Sequence, residues 1–187
     1  AKKRYAGYLI WKDGYDADKL DFTGIEIKRS DQAIVTKKVL TSFLEDILIN
    51  GDSESAVNKV RVEYNRVLTG DVLPYDISIP KGVKNLEMNS PWNRGIRNTD
   101  KLYGVKVLTG QKPRLIYCMG AVKEICVTED MTNELILSKV SIDWRLMANK
   151  VIRQKMESFF ESIGYSWDSV VNGQSKLGEW IWRSDEG

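Results

Sequence analysis

Leu20-Asp-Phe-Thr-Gly-Ile-Glu-Ile-Lys-Arg-Ser-Asp-Gln-Ala-Ile-Val35 holds the passage from one periodicity to another. Phe22, Ile25 and Ile27 partly alternate with polar residues, the period of two that a half-buried strand shows, so 20–28 reads as a strand. Beyond Ser30 and Asp31, residues Ile34, Val35, Leu40, Phe43, Leu44, Ile47 and Leu48 recur at helical spacing as far as Asn50-Gly51. That stretch predicts a helix of about five turns, with Ser30 or Asp31 suited to its cap and Gly51 to its end. Upstream, Tyr5-Ala-Gly-Tyr-Leu-Ile-Trp-Lys12 is rich in aromatic and β-branched residues and reads as a partner strand across a polar loop at 12–19. A hairpin that feeds a helix, without strand–helix alternation, sets the class as α+β.

The rest of the chain is mainly helical in pattern. Val57, Val60, Tyr64, Val67 and Leu68 share one face of a helix from Ser53 or Glu54 to Leu68, closed by Gly70. Asp76-Ile-Ser-Ile-Pro80 reads as a short edge strand that Pro80 stops. Ser90-Pro91 starts a helix reaching Leu102, with proline at the first helical position. Leu115–Met119 and Val122–Val127 read as a small β-hairpin around Gly120. Ser141 is expected to open the last long helix, with Leu146, Ile152, Phe159, Phe160 and Ile163 on its apolar side and Gly164 at its end.

At 187 residues, 42% hydrophobic, 29% charged and with 4 prolines, the chain belongs to the globular class. No apolar run approaches the roughly 18 residues of a membrane span, and the basic start lacks the apolar stretch of a signal peptide. Histidine is absent, which excludes Ser-His-Asp and Cys-His catalysis and His-ligated zinc. The two cysteines, Cys118 and Cys126, cannot form a four-thiolate site. In a strand-like stretch they read as buried and reduced, which favours a reducing, cytoplasmic compartment. Asp16, Asp18 and Asp21 lie close together but lack the loop pattern of a cation site and read as a solvated hairpin loop.

The net charge is only +2, but its distribution is uneven. Between Lys81 and Arg114 stand eight basic and two acidic residues, and further basic clusters lie at Lys2-Lys3-Arg4 and Lys28-Arg29. Three basic clusters on one small chain suggest a surface that tracks phosphates.

Lys2-Lys-Arg-Tyr-Ala-Gly7 resembles the Lys-Lys-x-Tyr motif at the end of the palm domain of archaeal-type family B DNA polymerases. About twenty residues on, Gly24-Ile-Glu-Ile-Lys-Arg-Ser-Asp31 resembles the Gly-x-Glu-x-x-Arg-x-Asp start of their thumb. Near the other end, Gln174-Ser-Lys-Leu-Gly-Glu-Trp-Ile181 resembles the box by which replication enzymes dock a sliding clamp. Ser90-Pro-Trp-Asn-Arg-Gly95 and Phe160-Glu-Ser-Ile-Gly164 add weaker likeness to thumb helices. Eukaryotic members carry terminal cysteine clusters that this sequence lacks, so the likeness is read as archaeal.

The resemblance implies a β-hairpin palm remnant at 1–30, a mainly helical thumb with a small β-hairpin at 31–172, and a clamp-binding tail at 173–187. Lys2, Lys3, Arg4, Tyr5, Lys28, Arg29, Asp31, Arg94 and Arg97 are then the DNA-binding candidates. Asp31 either orients Arg29 or caps the following helix. Gln174, Leu177, Trp180 and Ile181 would bind the clamp, the apolar pair plugging a pocket while Gln174 makes hydrogen bonds. The family's metal-binding motifs are missing, so Mg2+ would be held by palm residues outside this chain, and the chain alone is not expected to polymerise DNA. It has no catalytic residue or cofactor of its own in this reading. Its partners would be primer-template DNA, the N-terminal catalytic part and a sliding clamp, in a nucleoid-associated setting without a membrane. Two alternatives stay open: a non-catalytic duplex-DNA-binding module, and a sliding-clamp adaptor.

Overall fold

The structure, a computed structural model, describes residues 5–12, 15–23, 29–83, 85–108 and 110–172. The architecture is α+β: an antiparallel hairpin, then a mainly helical unit built on a small antiparallel sheet. Strand β1 (Tyr5–Lys12) pairs with β2 (Tyr15–Thr23), Tyr5 opposite Thr23 and Lys12 opposite Tyr15, with an irregularity between Leu9 and Trp11. The second strand thus starts at Tyr15, where a loop to residue 19 was expected, and Asp16, Asp18 and Asp21 lie in the strand. Polar side chains do not oppose this, because backbone pairing holds a two-stranded ribbon without a fully apolar face. The Asp13-Gly14 dipeptide, a strong short-hairpin signal, marked the true position. The expected continuation over 24–28 lies outside the described residues.

Helix α1 (Ile34–Glu45) runs on as a π-helical turn over Asp46–Asn50, and Gly51 closes it at φ 65°. Neither Ser30 nor Asp31 caps it: Ala33 stands at the cap position and makes no side-chain hydrogen bond there. Helix α2 (Ser53–Thr69) is capped by Asp52, whose carboxylate accepts from the Ser55 amide at 2.8 Å, and ends at Gly70 with φ 75°. The two helices are tied by Asp46, 3% exposed, which accepts from Lys59, Asn50 and Ser55 at 2.7 to 3.1 Å. Burial pushes its carboxyl up, but these donors outweigh burial and hold it below the ordinary value of 3.8.

A single turn, α3 (Pro74–Ile77), leads into β3 (Ile79–Pro80), so the expected edge strand is shorter and begins later. Helix α4 (Pro91–Tyr103) has Ser90 as its cap. Strand β4 (Arg114–Met119) pairs with β3 and with β5 (Glu124–Val127), which confirms the small hairpin. A short helix α5 (Asn133–Leu137) follows, and β6 (Ser141–Ile142) pairs with the far end of β4. Ser141 therefore opens no helix. Backbone pairing with Met119 takes it, and Asp143 caps α6 (Trp144–Ala148) by accepting from the Leu146 amide at 2.9 Å. A π turn at Asn149–Arg153 joins α6 to α7 (Gln154–Ser162), and α8 (Trp167–Asn172) ends the described chain.

The sheet is buried on both faces. Strand alternation sends Leu115 and Cys126 into a small cluster with Ile96 of α4, while Ile116, Cys118, Ile125 and Val127 join the main core. The main core closes on Phe43, Phe160, Tyr64 and Trp167, whose rings meet at centroid distances of 4.9 to 5.8 Å and join α1, α2, α7 and α8. Both cysteines are buried and free, and burial is the first cause pushing each thiol up to about 12. They are structural thiols, protonated at neutral pH.

Candidate nucleic-acid interface

Arg29 and Asp31 form a fork. The Arg29 Nε and Nη2 donate to the two Asp31 carboxylate oxygens at 2.9 and 2.6 Å, and the side chains are 52% and 43% exposed. The hydrogen bond from Arg29 is the main reason that the Asp31 carboxyl sits below 3.8. Of the two roles open to Asp31, the geometry gives the orientation of Arg29.

This pair stands at the rim of a cleft of about 330 Å3 where the start of α1, strand β3, α4, β4 and the α6–α7 π turn converge. Among the described residues, Arg29, Lys81, Lys150 and Lys155 line it together with the Asp31 carboxylate. Trp92 of α4 and Tyr117 of β4 supply aromatic walls. The Lys81 ammonium lies 4.5 Å from the Trp92 ring centroid, and that of Lys150 lies 5.4 Å from Tyr117. Each ring face attracts its ammonium and narrows where it can sit. The Trp92 ring is itself fixed, because its Nε1 donates to the Ile79 carbonyl at 3.2 Å. Lys112, from the basic stretch, donates to Ser30 Oγ at 3.0 Å beside the fork.

The basic stretch does not form one face. Arg94 pairs with Glu124 at 2.7 Å, and Glu124 is 7% exposed on β5. Arg114 donates to Ser78 Oγ at 2.9 Å and stacks over Tyr75 at 4.3 Å. These two guanidinium groups anchor elements to one another. Arg97 stays exposed, with a long 3.5 Å contact to the Leu86 carbonyl.

The whole Ser90–Gly95 segment has packing work of the same kind. Ser90 accepts from the Asn93 amide at 3.2 Å, and Asn93 Nδ2 donates to the Asn85 and Met88 carbonyls at 2.8 and 2.6 Å. Gly95 lies so close to the sheet that a Cβ there would come 2.9 Å from Cys126 Sγ.

Among the other sequence candidates, Tyr5 opens β1. Lys2, Lys3, Arg4 and Lys28 and the tail residues Gln174, Leu177, Trp180 and Ile181 lie outside the described residues. Lys150 and Lys155 were missed, because two lysines on the last helical stretch carry no motif. Lys81 was noted only as part of a charge count. Among the described residues no three acidic or cysteine side chains converge as a metal-binding group, and no helix is long and apolar enough to cross a membrane.

No protein-family profile matches the chain. Over 82 residues, 44% of its length, it is 35% identical to the DNA polymerase delta catalytic subunit of Arabidopsis thaliana. Over 83 residues it is 36% identical to the DNA polymerase delta catalytic subunit of Oryza sativa subsp. japonica. Over 85 residues it is 29% identical to a DNA polymerase of Acanthamoeba polyphaga mimivirus. The chain matches only 7% of each plant subunit and 5% of the viral enzyme. These relatives are eukaryotic and viral, so the archaeal likeness rests on the sequence motifs alone.

Proposed function

We propose that the chain is the end of the palm and the thumb of a family B DNA-directed DNA polymerase, holding primer-template duplex during template-directed synthesis. The identity to segments of DNA polymerase delta catalytic subunits carries the reading. The ordered Lys-Lys-x-Tyr and Gly-x-Glu-x-x-Arg-x-Asp motifs support it. In this reading residues 1–30 close the palm, 31–172 form the thumb and 173–187 dock a sliding clamp. Ammonium and guanidinium groups grip a duplex without reading its sequence, by neutralising phosphates and displacing counterions. Lys2, Lys3 and Tyr5 would contact DNA near the primer end, and Arg29, held by Asp31, would present a planar fork to a phosphate. Mg2+ supplies charge neutralisation at the reacting phosphate and belongs to the catalytic part. This chain contributes position and grip.

The test is fluorescence anisotropy of a labelled primer-template hairpin titrated with the chain at several salt concentrations. Each phosphate contact steepens the log–log salt slope by roughly 0.9. A slope of several units, reduced in Lys2→Ala/Lys3→Ala, supports the thumb; no binding by a folded sample refutes it. For the tail, Leu177→Ala/Trp180→Ala abolishes binding to a sliding clamp while sparing the duplex, and unchanged clamp affinity removes the tail from the proposal.

A further inference from the structure

Helices α1 and α2 leave a groove of about 390 Å3 between them. Buried Val39 and Val60 line it, and Val62, 52% exposed, stands at its rim near Asn58. The charged side chains along it already have partners: Lys59 pairs with Asp46 at 2.7 Å, Glu63 with Arg66 at 2.8 Å and Lys38 with Asp76 at 3.8 Å. With its charges paired the groove offers little to a polyanion, and its valines favour an apolar occupant. The end of the described chain reaches the same helix. Where α8 packs on α2, Arg61 Nε donates to the Val170 carbonyl, and Arg61 Nη1 donates to Asn58 Oδ1 at 3.0 Å. One guanidinium thus joins Val170, two residues before the end of α8 at Asn172, to a residue that lines the groove.

We propose that the tail of this chain, residues 174–181, docks in the α1–α2 groove through Leu177, Trp180 and Ile181, and that a sliding clamp competes with the groove for these side chains. The tail lies outside the described residues, and its sequence and point of departure carry the proposal. Leu177 stands five residues beyond Asn172, a reach of up to about 17 Å from a point already beside the groove wall. Leu177, Trp180 and Ile181 follow one another at spacings that suit one side of a helical turn, and polar residues fill the positions between. A tether this short holds the tail at an effective concentration of about 1 mM. A contact with a Kd of about 0.1 mM is then closed about ten to one, and weakens clamp binding about tenfold. The competition rests on reading the tail as a clamp-docking segment; the docking in the groove does not.

The experiment compares two-dimensional amide spectra of the full isotope-labelled chain with those of Leu177→Ala/Trp180→Ala, and titrates a sliding clamp into the parent and Val62→Glu by calorimetry. Val62 is exposed, so glutamate there charges the groove rim without removing a core side chain, and circular dichroism confirms that the variant is folded. Docking predicts that the tail variant shifts the amides of Val39, Asn58 and Val62 and leaves those of β5 in place. Unchanged groove amides overturn the proposal. Shifts that fade on dilution put the tail in the groove of a second copy and overturn docking within one chain. Val62→Glu is expected to bind the clamp about tenfold more tightly than the parent, and equal affinity overturns the competition. If neither chain binds a clamp while the groove amides still shift, the clamp reading fails and the docking stands.

Discussion

Gly95→Ala adds one methyl group to α4 where the helix meets the sheet. The new Cβ would lie 2.9 Å from Cys126 Sγ, 3.1 Å from the Ile125 carbonyl carbon and 3.1 Å from Leu115 Cδ1. The thiol and the leucine methyl can give slightly, but the Ile125 contact is backbone in a paired strand, and it moves only if β5 or α4 moves. Overpacking of this kind costs about 1–3 kcal/mol, and an unyielding backbone contact places the cost in the upper half. Alanine is the better helix former by about 1 kcal/mol, which offsets part of it. The net expectation is a loss of about 1–2 kcal/mol, which for a domain of this size lowers Tm by about 2–8 °C. Urea denaturation gives the free energy directly, with the m-value as a check that the two end states are unchanged. Adding Cys126→Ala should make the Gly95→Ala step less costly, since it removes the nearest atom. A Gly95→Ala variant more stable than the parent would refute the reasoning, because helix propensity would then outweigh a contact absent in solution.

Three further outcomes follow from the same packing and charge arguments. With burial raising both thiols to about 12, Cys118 and Cys126 should stay unreactive to a thiol reagent at pH 8 in the native protein and both react in denaturant; fast native labelling of either contradicts their burial. The Asp46 carboxyl is held below 3.8 in the folded chain, so its network stabilises fully above that value and is lost as pH falls through the lower folded pKa. The gap in urea midpoint between the parent and Asp46→Asn should therefore shrink as pH drops below 3.8, and a gap that widens in acid would show the sign to be wrong. Asp31→Ala should weaken duplex binding although it removes a negative charge, because Arg29 loses its orientation; tighter binding would mean that the carboxylate only repels DNA.

Where neighbours in sequence are neighbours in space, the fold was legible. Helices α1 and α2 showed in their apolar spacing and their closing glycines, α4 showed in its Ser90-Pro91 start, and the Arg29–Asp31 fork lies two residues apart. Partners distant along the chain left no local mark. Arg94 looked like a free basic residue until the fold set Glu124, thirty residues on, against it. Ser141 resembled a helix cap because serine is one, yet the two-residue pairing of β6 with β4 claimed it and moved the cap to Asp143. The second strand of the first hairpin was placed five residues late because the polar run 12–19 reads as loop by composition, whereas backbone pairing begins at Tyr15. The cleft was the least legible feature, since Lys81, Lys150 and Lys155 acquire meaning only when β3 and the α6–α7 turn are brought together.

Mapping of amide shifts by two-dimensional NMR, with a primer-template duplex titrated into the isotope-labelled chain, tests the central claim that this chain grips primer-template duplex through its basic N-terminal segment and the Arg29–Asp31 fork. The account predicts shifts at Lys2, Lys3, Tyr5 and Arg29, with the α2 surface around Glu63 and Arg66 unchanged. Shifts confined to that α2 surface, or none at duplex concentrations that saturate anisotropy, would contradict it.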